Sequence, residues 1–90
     1  MENEVKLLKA MADETRIKIL LYLLNGEQCA CTIVPFIGKA QPTVSQHLKI
    51  LTEAGILSMR KNGARVLYRI KDDRAISIIK VLKLQRMNIE

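Results

Sequence analysis

Apolar residues recur along the chain at two spacings, and the switch between them marks the elements. Val5, Leu8 and Met11 or Ala12 fall at helical spacing and predict a short helix over residues 2–11. A helix this short needs something to pack on. Ile17, Leu20, Leu21 and Leu24 predict the buried face of a second helix, with Asp13 as its N-cap and Asn25-Gly26 as its stop. A third is predicted from about Thr32 to Ile37. With Thr32 as N-cap, Pro35 sits at the third helical position, where its missing N–H costs no intrahelical bond. Val44, Leu48 and Leu51 then recur at i, i+4 and i+7 and predict a fourth helix, opened by Pro42. Two helices joined by a brief turn containing Gly38 are a helix-turn-helix candidate.

From Leu57 to Ile70 the reading is a β-hairpin, with Asn62-Gly63 as the centre of a type I′ turn. That register pairs Lys61 with Ala64, Met59 with Val66 and Leu57 with Tyr68, and sets Arg60 opposite Arg65. Like charges so placed destabilise a hairpin, a cost easier to understand if an anion lies alongside. The last helix is predicted over about 73–88, capped by Asp72 or Asp73. Its apolar positions are Ala75, Ile76, Ile78, Ile79, Val81, Leu82, Leu84 and Met87, more than one face holds. This predicts burial both in its own domain and against a partner. With residues 2–11 as its neighbour, the two terminal helices are expected to form a homodimer interface.

Composition narrows the picture. Ninety residues make a single domain over 1–90, and with aromatics at only 3% the core must be aliphatic. Fifteen basic and nine acidic residues leave a net charge of +6, which favours a polyanion as partner. The opening Met-Glu-Asn-Glu is acidic with no apolar run behind it, so no signal peptide is expected. The longest unbroken apolar run, Ile19 to Leu24, is far short of a membrane span. The expectation is a cytoplasmic protein with no membrane partner. There is one histidine, no glycine-rich phosphate loop and no nucleophile motif, which argues against an enzyme.

The polar face of the fourth helix carries Thr43, Ser45, Gln46 and Lys49, residue types that reach phosphates and base edges in a major groove. With Gln41 at its start, and with Arg60, Lys61, Asn62 and Arg65 in the hairpin, they form the expected DNA-contact set. His47 belongs to it too, although a hydrogen-bonded structural role suits a lone histidine better. Tyr22, Tyr68 and the methionines read as packing.

The whole order predicts a mainly α (α+β) fold: a winged helix-turn-helix of about five helices with a two-stranded β-hairpin wing. Along essentially its whole length the chain resembles the ArsR/SmtB-type (arsenic-repressor) transcriptional regulators. Met11-Ala-Asp-Glu-Thr-Arg-Ile-Lys-Ile-Leu20 is similar to the family's "LADPTRLRIL", and Glu27-Gln-Cys-Ala-Cys31 to "ELCVC". Gln41-Pro-Thr-Val-Ser-Gln-His-Leu-Lys-Ile-Leu-Thr-Glu-Ala-Gly-Ile-Leu57 is very close to "SQPTVSQHLKVLREAGLV". The resemblance implies a homodimeric repressor on a palindromic duplex operator, released by an inducer. A two-fold dimer reads half-sites about 10 bp, or a multiple, apart. One departure is Ala40, where the family usually has a capping Ser.

The resemblance also implies that Cys29 and Cys31 match the arsenite-binding cysteines of the arsenic branch. Thiolates suit soft ions such as arsenite, Cd or Zn, acting as inducer rather than as a required cofactor. The branch's third cysteine falls on Val34. A second family metal site needs a histidine on the last helix, which has Asp72 and Asp73 but none, and is rejected. Three readings of the pair stay open: a thiophilic metal or metalloid site, a redox-sensing thiol pair, or inert packing. Within regular structure a Cys-X-Cys pair does not readily close on itself, so oxidation is expected to join protomers or form mixed disulfides. From another class, the winged helix could bind a protein instead of DNA. The basic strip Arg60, Lys61, Arg65 and Arg69 argues against that.

Overall fold

The computed structural model describes the backbone from Met1 to Ile89 and side chains as far as Lys83. The order is α1 (Glu2–Met11), α2 (Glu14–Leu23), β1 (Gln28–Cys29), α3 (Ala30–Ile37), α4 (Gln41–Glu53), β2 (Leu57–Asn62), β3 (Arg65–Ile70) and α5 (Asp73–Ile89). It is the expected winged helix-turn-helix with one strand more than expected. β1 pairs antiparallel with β3, giving a three-stranded sheet in the order β1-β3-β2. Two residues carry too little alternation to be read as a strand, and β1 exists because the edge of β3 is there to pair with.

Every other helix packs on α2, as does β3. Its wholly buried residues are Ile19 and Leu20, with Thr15 and Leu23 nearly so. The expected face was Ile17, Leu20, Leu21 and Leu24. Of these only Leu20 is fully buried, and the other three are half-buried against the core. A helix apolar on nearly all sides has no single period to read, and its neighbours set its rotation. Asp13 does cap it, its carboxylate accepting from the Arg16 N–H at 3.0 Å.

α1 corrects its expected stripe in a useful way. It buries Leu7, Ala10 and Met11 against the domain and leaves Val5 and Leu8 exposed. α5 buries Ala75 and Ile79 and exposes Val81 and Leu82. The side chains of Leu84 and Met87 lie outside the described residues.

α3 begins two residues before the expected start. Cys29, extended at the end of β1, is its N-cap, and the Thr32 hydroxyl donates to Cys29 O at 2.9 Å. Pro35 therefore lies inside the helix.

The hairpin turn lies one residue later than expected, which shifts each cross-strand partner by two residues. Asn62 pairs with Arg65, Lys61 with Val66, Arg60 with Leu67, Met59 with Tyr68 and Leu57 with Ile70. The two-residue turn is Gly63-Ala64. Gly63 has φ 64°, and no residue other than glycine has positive φ. That is the pattern of a type II′ turn; a type I′ turn would have forced Asn62 to positive φ. A two-residue slip keeps Leu57, Met59 and Lys61 on one face with Val66, Tyr68 and Ile70, and changes only which of them stand opposite each other. Arg60 no longer opposes Arg65, so the expected like-charge pair, and the anion invoked to relieve it, fall away.

This register predicts that Gly63→Ala destabilises the fold by about 1–2 kcal/mol, because a Cβ is put at positive φ. Asn62→Ala stays within about 0.5 kcal/mol, as exposed substitutions do. Urea denaturation of both variants measures this, and equal losses would restore the type I′ turn.

Candidate nucleic-acid interface

The turn between α3 and α4 is fixed by three local features. Gly38 ends α3 in the left-handed region (φ 76°), its N–H bonded to Val34 O at 3.1 Å. The Lys39 ammonium donates to the buried Thr15 hydroxyl at 2.9 Å, tying the turn to α2. Ala40 is the N-cap of α4 and supplies no side-chain acceptor. The helix nonetheless begins at Gln41, with Pro42 one position later than expected.

Val44, Leu48 and Leu51 bury one side of α4. Gln41, Thr43, Ser45, Gln46 and Lys49 are all exposed on the rest of it. The structure thus brings five of the six expected helix residues into one open polar surface. His47 is set apart. Its ring is half-buried and turned to the α1–α2 corner, with Nδ1 3.1 Å from the Arg16 guanidinium and 3.7 Å from Asp13 Oδ2. Arg16 also donates from Nε to Ala10 O at 2.6 Å. The Asp13 carboxyl is held below its ordinary range, first by the Arg16 backbone N–H and also by the Arg16 and His47 charges.

The wing divides its cations. Lys61, Asn62 and Arg65 are exposed near the turn. Arg60 is engaged by Glu27, which accepts from Nε at 2.8 Å and from the terminal nitrogen at 2.7 Å. Those hydrogen bonds hold the Glu27 carboxyl below its usual range and raise the Arg60 guanidinium. Arg60 thus carries a partner that the other wing cations lack among the described residues. Glu27 sits just before β1, so a strand absent from the sequence reading is what carries it to the wing.

Cys29 and Cys31 stand at the corner from β1 into α3. Their sulfurs are joined, with Cα atoms 5.0 Å apart, against the expectation that the pair would not close on itself. That expectation assumed regular structure. Here one residue is extended and the other lies in a first helical turn, so both sulfurs reach the same side. Cys29 is buried and Cys31 exposed. They open on a cleft of about 470 Å³ whose other walls include Val34 of α3, Gln41 and Ser45 of α4, and Arg65 of the wing. No third His, Cys, Asp or Glu joins them in a metal-sized cluster among the described residues. As a donor set the pair is chemically suited to a soft ion and incomplete for one.

Two residues of this surface were missed from sequence: Arg16, which meets His47 thirty-one positions away, and Glu27, thirty-three from Arg60. Nothing local in the sequence pairs them. Asp13 was identified only as a cap.

Residues 13–58 match the family described as "Bacterial regulatory protein, arsR family". An uncharacterized HTH-type transcriptional regulator of Methanocaldococcus jannaschii is 45% identical over 82 residues, covering 90% of this chain and 92% of that protein. The arsenical resistance operon repressor of Escherichia coli K12 is 43% identical over 67 residues, or 73% of this chain and 57% of that one. The chain thus spans little more than half of that longer repressor. Among solved structures, a homodimeric winged helix-turn-helix DNA-binding domain from Mycobacterium bovis superposes with a TM-score of 0.83 at 26% identity, covering 94% of this chain and 79% of that one. No described helix is long and apolar enough to cross a membrane.

The low-lying Asp13 carboxyl carries a prediction. Its folded-state value lies below the unfolded one, ordinarily about 3.9. Its contribution is therefore complete above that value and is lost as pH falls through the folded value. Asp13→Ala should cost about 1 kcal/mol at neutral pH, the usual worth of an N-cap. Asp13→Asn should cost less, since its amide oxygen still caps, while making stability less steep in acid. Denaturant midpoints from pH 7 to 3 test both.

Proposed function

Since the chain belongs to the arsR family of bacterial regulatory proteins, we propose that it is a homodimeric repressor whose α4 and wing hold a palindromic operator. The observation that carries this is the exposed polar face Thr43, Ser45, Gln46 and Lys49 on a helix whose other side is buried. Those side chains take the major groove. Lys61, Asn62 and Arg65 take the adjoining minor groove or backbone. Gln41 lies at the N-terminal edge of the reading helix. Arg60 contributes charge from its pair with Glu27 rather than a free contact, and His47 works from inside the domain.

The dimer interface is formed by α1 and α5. The reading is supported by the outward apolar residues Val5 and Leu8, 42% and 53% exposed, and Val81 and Leu82, 64% and 38% exposed. It is also supported by the homodimeric M. bovis domain. The single domain 1–90 then needs its two-fold mate to space its reading helices.

The signal enters at Cys29 and Cys31. Reduced, the two thiolates hold a thiophilic ion, arsenite, Cd or Zn, with the remaining ligand supplied from outside the described residues. The arsenical resistance repressor of E. coli and a cadmium resistance regulatory protein homolog of Staphylococcus aureus are relatives whose names point the same way. The shared cleft gives the signal a short route: whatever occupies it lies against Gln41, Ser45 and Arg65. A second reading is favoured by the joined sulfurs. In it, a small disulfide oxidises the two thiols and is itself reduced to two thiols, and the closed pair is the signal state.

Reduced protein should bind duplex DNA from upstream of its own gene and lose affinity steeply between about 50 and 200 mM salt. Lys61→Ala and Arg65→Ala should each reduce the log–log salt slope by about one, while Arg60→Ala changes it less. Fluorescence anisotropy measures this, and absence of binding at low salt would refute the DNA reading.

Arsenite or Cd(II) should release the reduced dimer, and Cys29→Ser or Cys31→Ser should abolish that release. If both variants still respond to thiophilic ions, the metal reading is wrong. Release by a disulfide that dithiothreitol reverses, with no response to ions, selects the redox reading instead.

A further inference from the structure

His47 sits in the middle of α4, and its Nδ1 meets two groups that cannot both bond it in one protonation state. The Arg16 guanidinium is a donor only and stays charged, so its 3.1 Å contact is a hydrogen bond only while Nδ1 offers a lone pair. The ring is then neutral with its proton on Nε2. Asp13 Oδ2, at 3.7 Å, can bond the same nitrogen only when it carries a proton. Arg16 meanwhile grips Ala10 O near the end of α1 at 2.6 Å. A single ring nitrogen therefore links α4 to the corner where α1 turns into α2.

We propose that Arg16 is a positioning residue for DNA reading that acts through His47, and that protonation of His47 passes its Nδ1 from Arg16 to Asp13 and weakens operator binding. The inference rests on the reading of α4 as the DNA-contacting helix. An imidazolium and a guanidinium at 3 Å are both cations and both donors, so they part. The ring is only 17% exposed, and little water stands ready to replace the lost bond. Ser45, Gln46 and Lys49 flank His47 on the same helix, so a shift of His47 against α2 displaces them.

The charged groups around the ring fit this division. Asp13 and Arg16 face it from the α1–α2 corner. Lys6 and Lys9 of α1 and Glu53 of α4 line the adjoining cleft that Arg16 shares with Ala10. Asp13 is held low, first by the Arg16 backbone N–H, and stays ionised where a histidine ordinarily changes charge, between about pH 5 and 8. The sign of the effect separates two roles. A histidine that touched phosphate would strengthen DNA binding as pH fell, by adding a positive charge. A clamp released by protonation weakens it.

His47 is the only histidine in the chain, so its ring nitrogens are identified in a ¹H–¹⁵N spectrum without assignment by mutation. The free protein at pH 8 should show the Nε2–H tautomer, and Arg16→Ala should move the Nδ1 resonance. A predominant Nδ1–H tautomer overturns the proposal whether or not the protein binds DNA.

The second readout is affinity for duplex DNA from upstream of its own gene, from pH 8 to 5.5 at constant ionic strength. Wild type should weaken as pH falls, by at most about tenfold per pH unit per protomer. His47→Gln can still accept from Arg16 but cannot titrate, so its affinity for DNA should show no dependence on pH across this range. Arg16→Ala should bind weakly at every pH, with circular dichroism verifying that it folds. Affinity that rises or stays level as pH falls, or a His47→Gln variant that keeps the wild-type slope, overturns the clamp. Binding at no pH, with the expected tautomer present, rejects the DNA reading on which the proposal rests and the proposal with it.

Discussion

The burial of α2 is the constraint on which the other elements depend. Ile19 and Leu20 have no exposed surface, and α1, α3, α4, α5 and β3 all pack against the helix that carries them. With no tryptophan and few other aromatics, the core is a set of aliphatic side chains of similar size, and its order comes from interdigitation. Cutting such a residue to alanine costs about 2–5 kcal/mol. A domain of this size has only about 5–15 kcal/mol to lose. The recognition helix has no independent foundation. Its buried residues Val44, Leu48 and Leu51 join the same core, so α4 is seated by packing that it shares with α2 and β2.

Because α2 occupies the centre, the terminal helices are left with a second face. α1 gives Leu7, Ala10 and Met11 to the core and keeps Val5 and Leu8 outside, and α5 divides its residues in the same manner. A chain with 49% hydrophobic residues and one small core has apolar surface left over, and here it gathers on the two helices that bracket the sequence. The charge is partitioned comparably. Glu27 removes Arg60 from the free cations, while Lys61 and Arg65 stay open on either side of the turn. On the proposed reading, the effective charge at the wing is smaller and closer to its tip than a count of arginines suggests.

What could be read from the sequence was what local chemistry decides. Asp13 capping α2, Gly38 closing α3, and the i, i+4, i+7 stripe of α4 each follow from a few neighbouring residues, and each is present. The errors fall where a distant partner decides. Asn62-Gly63 is a strong turn signal, but it does not say whether Asn62 enters the turn or pairs in the strand, and the difference changes every cross-strand partner in the wing while leaving its two faces as they were. α3 starts early because Cys29 is held extended by β3, which lies almost forty residues later. Of the site, the exposed face of α4 was legible because burial of the opposite face leaves it no other place. The links of His47 to Arg16 and of Arg60 to Glu27 were not, because no spacing encodes a contact between separate elements.

The α4 helix is thus held unevenly along its length, and that unevenness gives each proposed input its point of action. Its first turn has no side-chain cap, since Ala40 stands at the N-cap; a serine or threonine cap is ordinarily worth about 1 kcal/mol. That turn is kept in place by Val44 in the core, and it lines the cleft that the cysteines and Arg65 share. Its middle is fastened by the hydrogen bond from Arg16 to His47, and its far end by Leu51, which is fully buried. A change at Cys29 and Cys31 therefore acts on the least-anchored turn, the one that presents Gln41, Thr43 and Ser45. A proton on His47 acts one turn further along, beside Gln46 and Lys49. Two such inputs would add when they displace the helix independently. They would couple if loosening its start also frees His47 to leave Arg16. The distance from Ser45 to His47, two residues on one rigid helix, favours coupling.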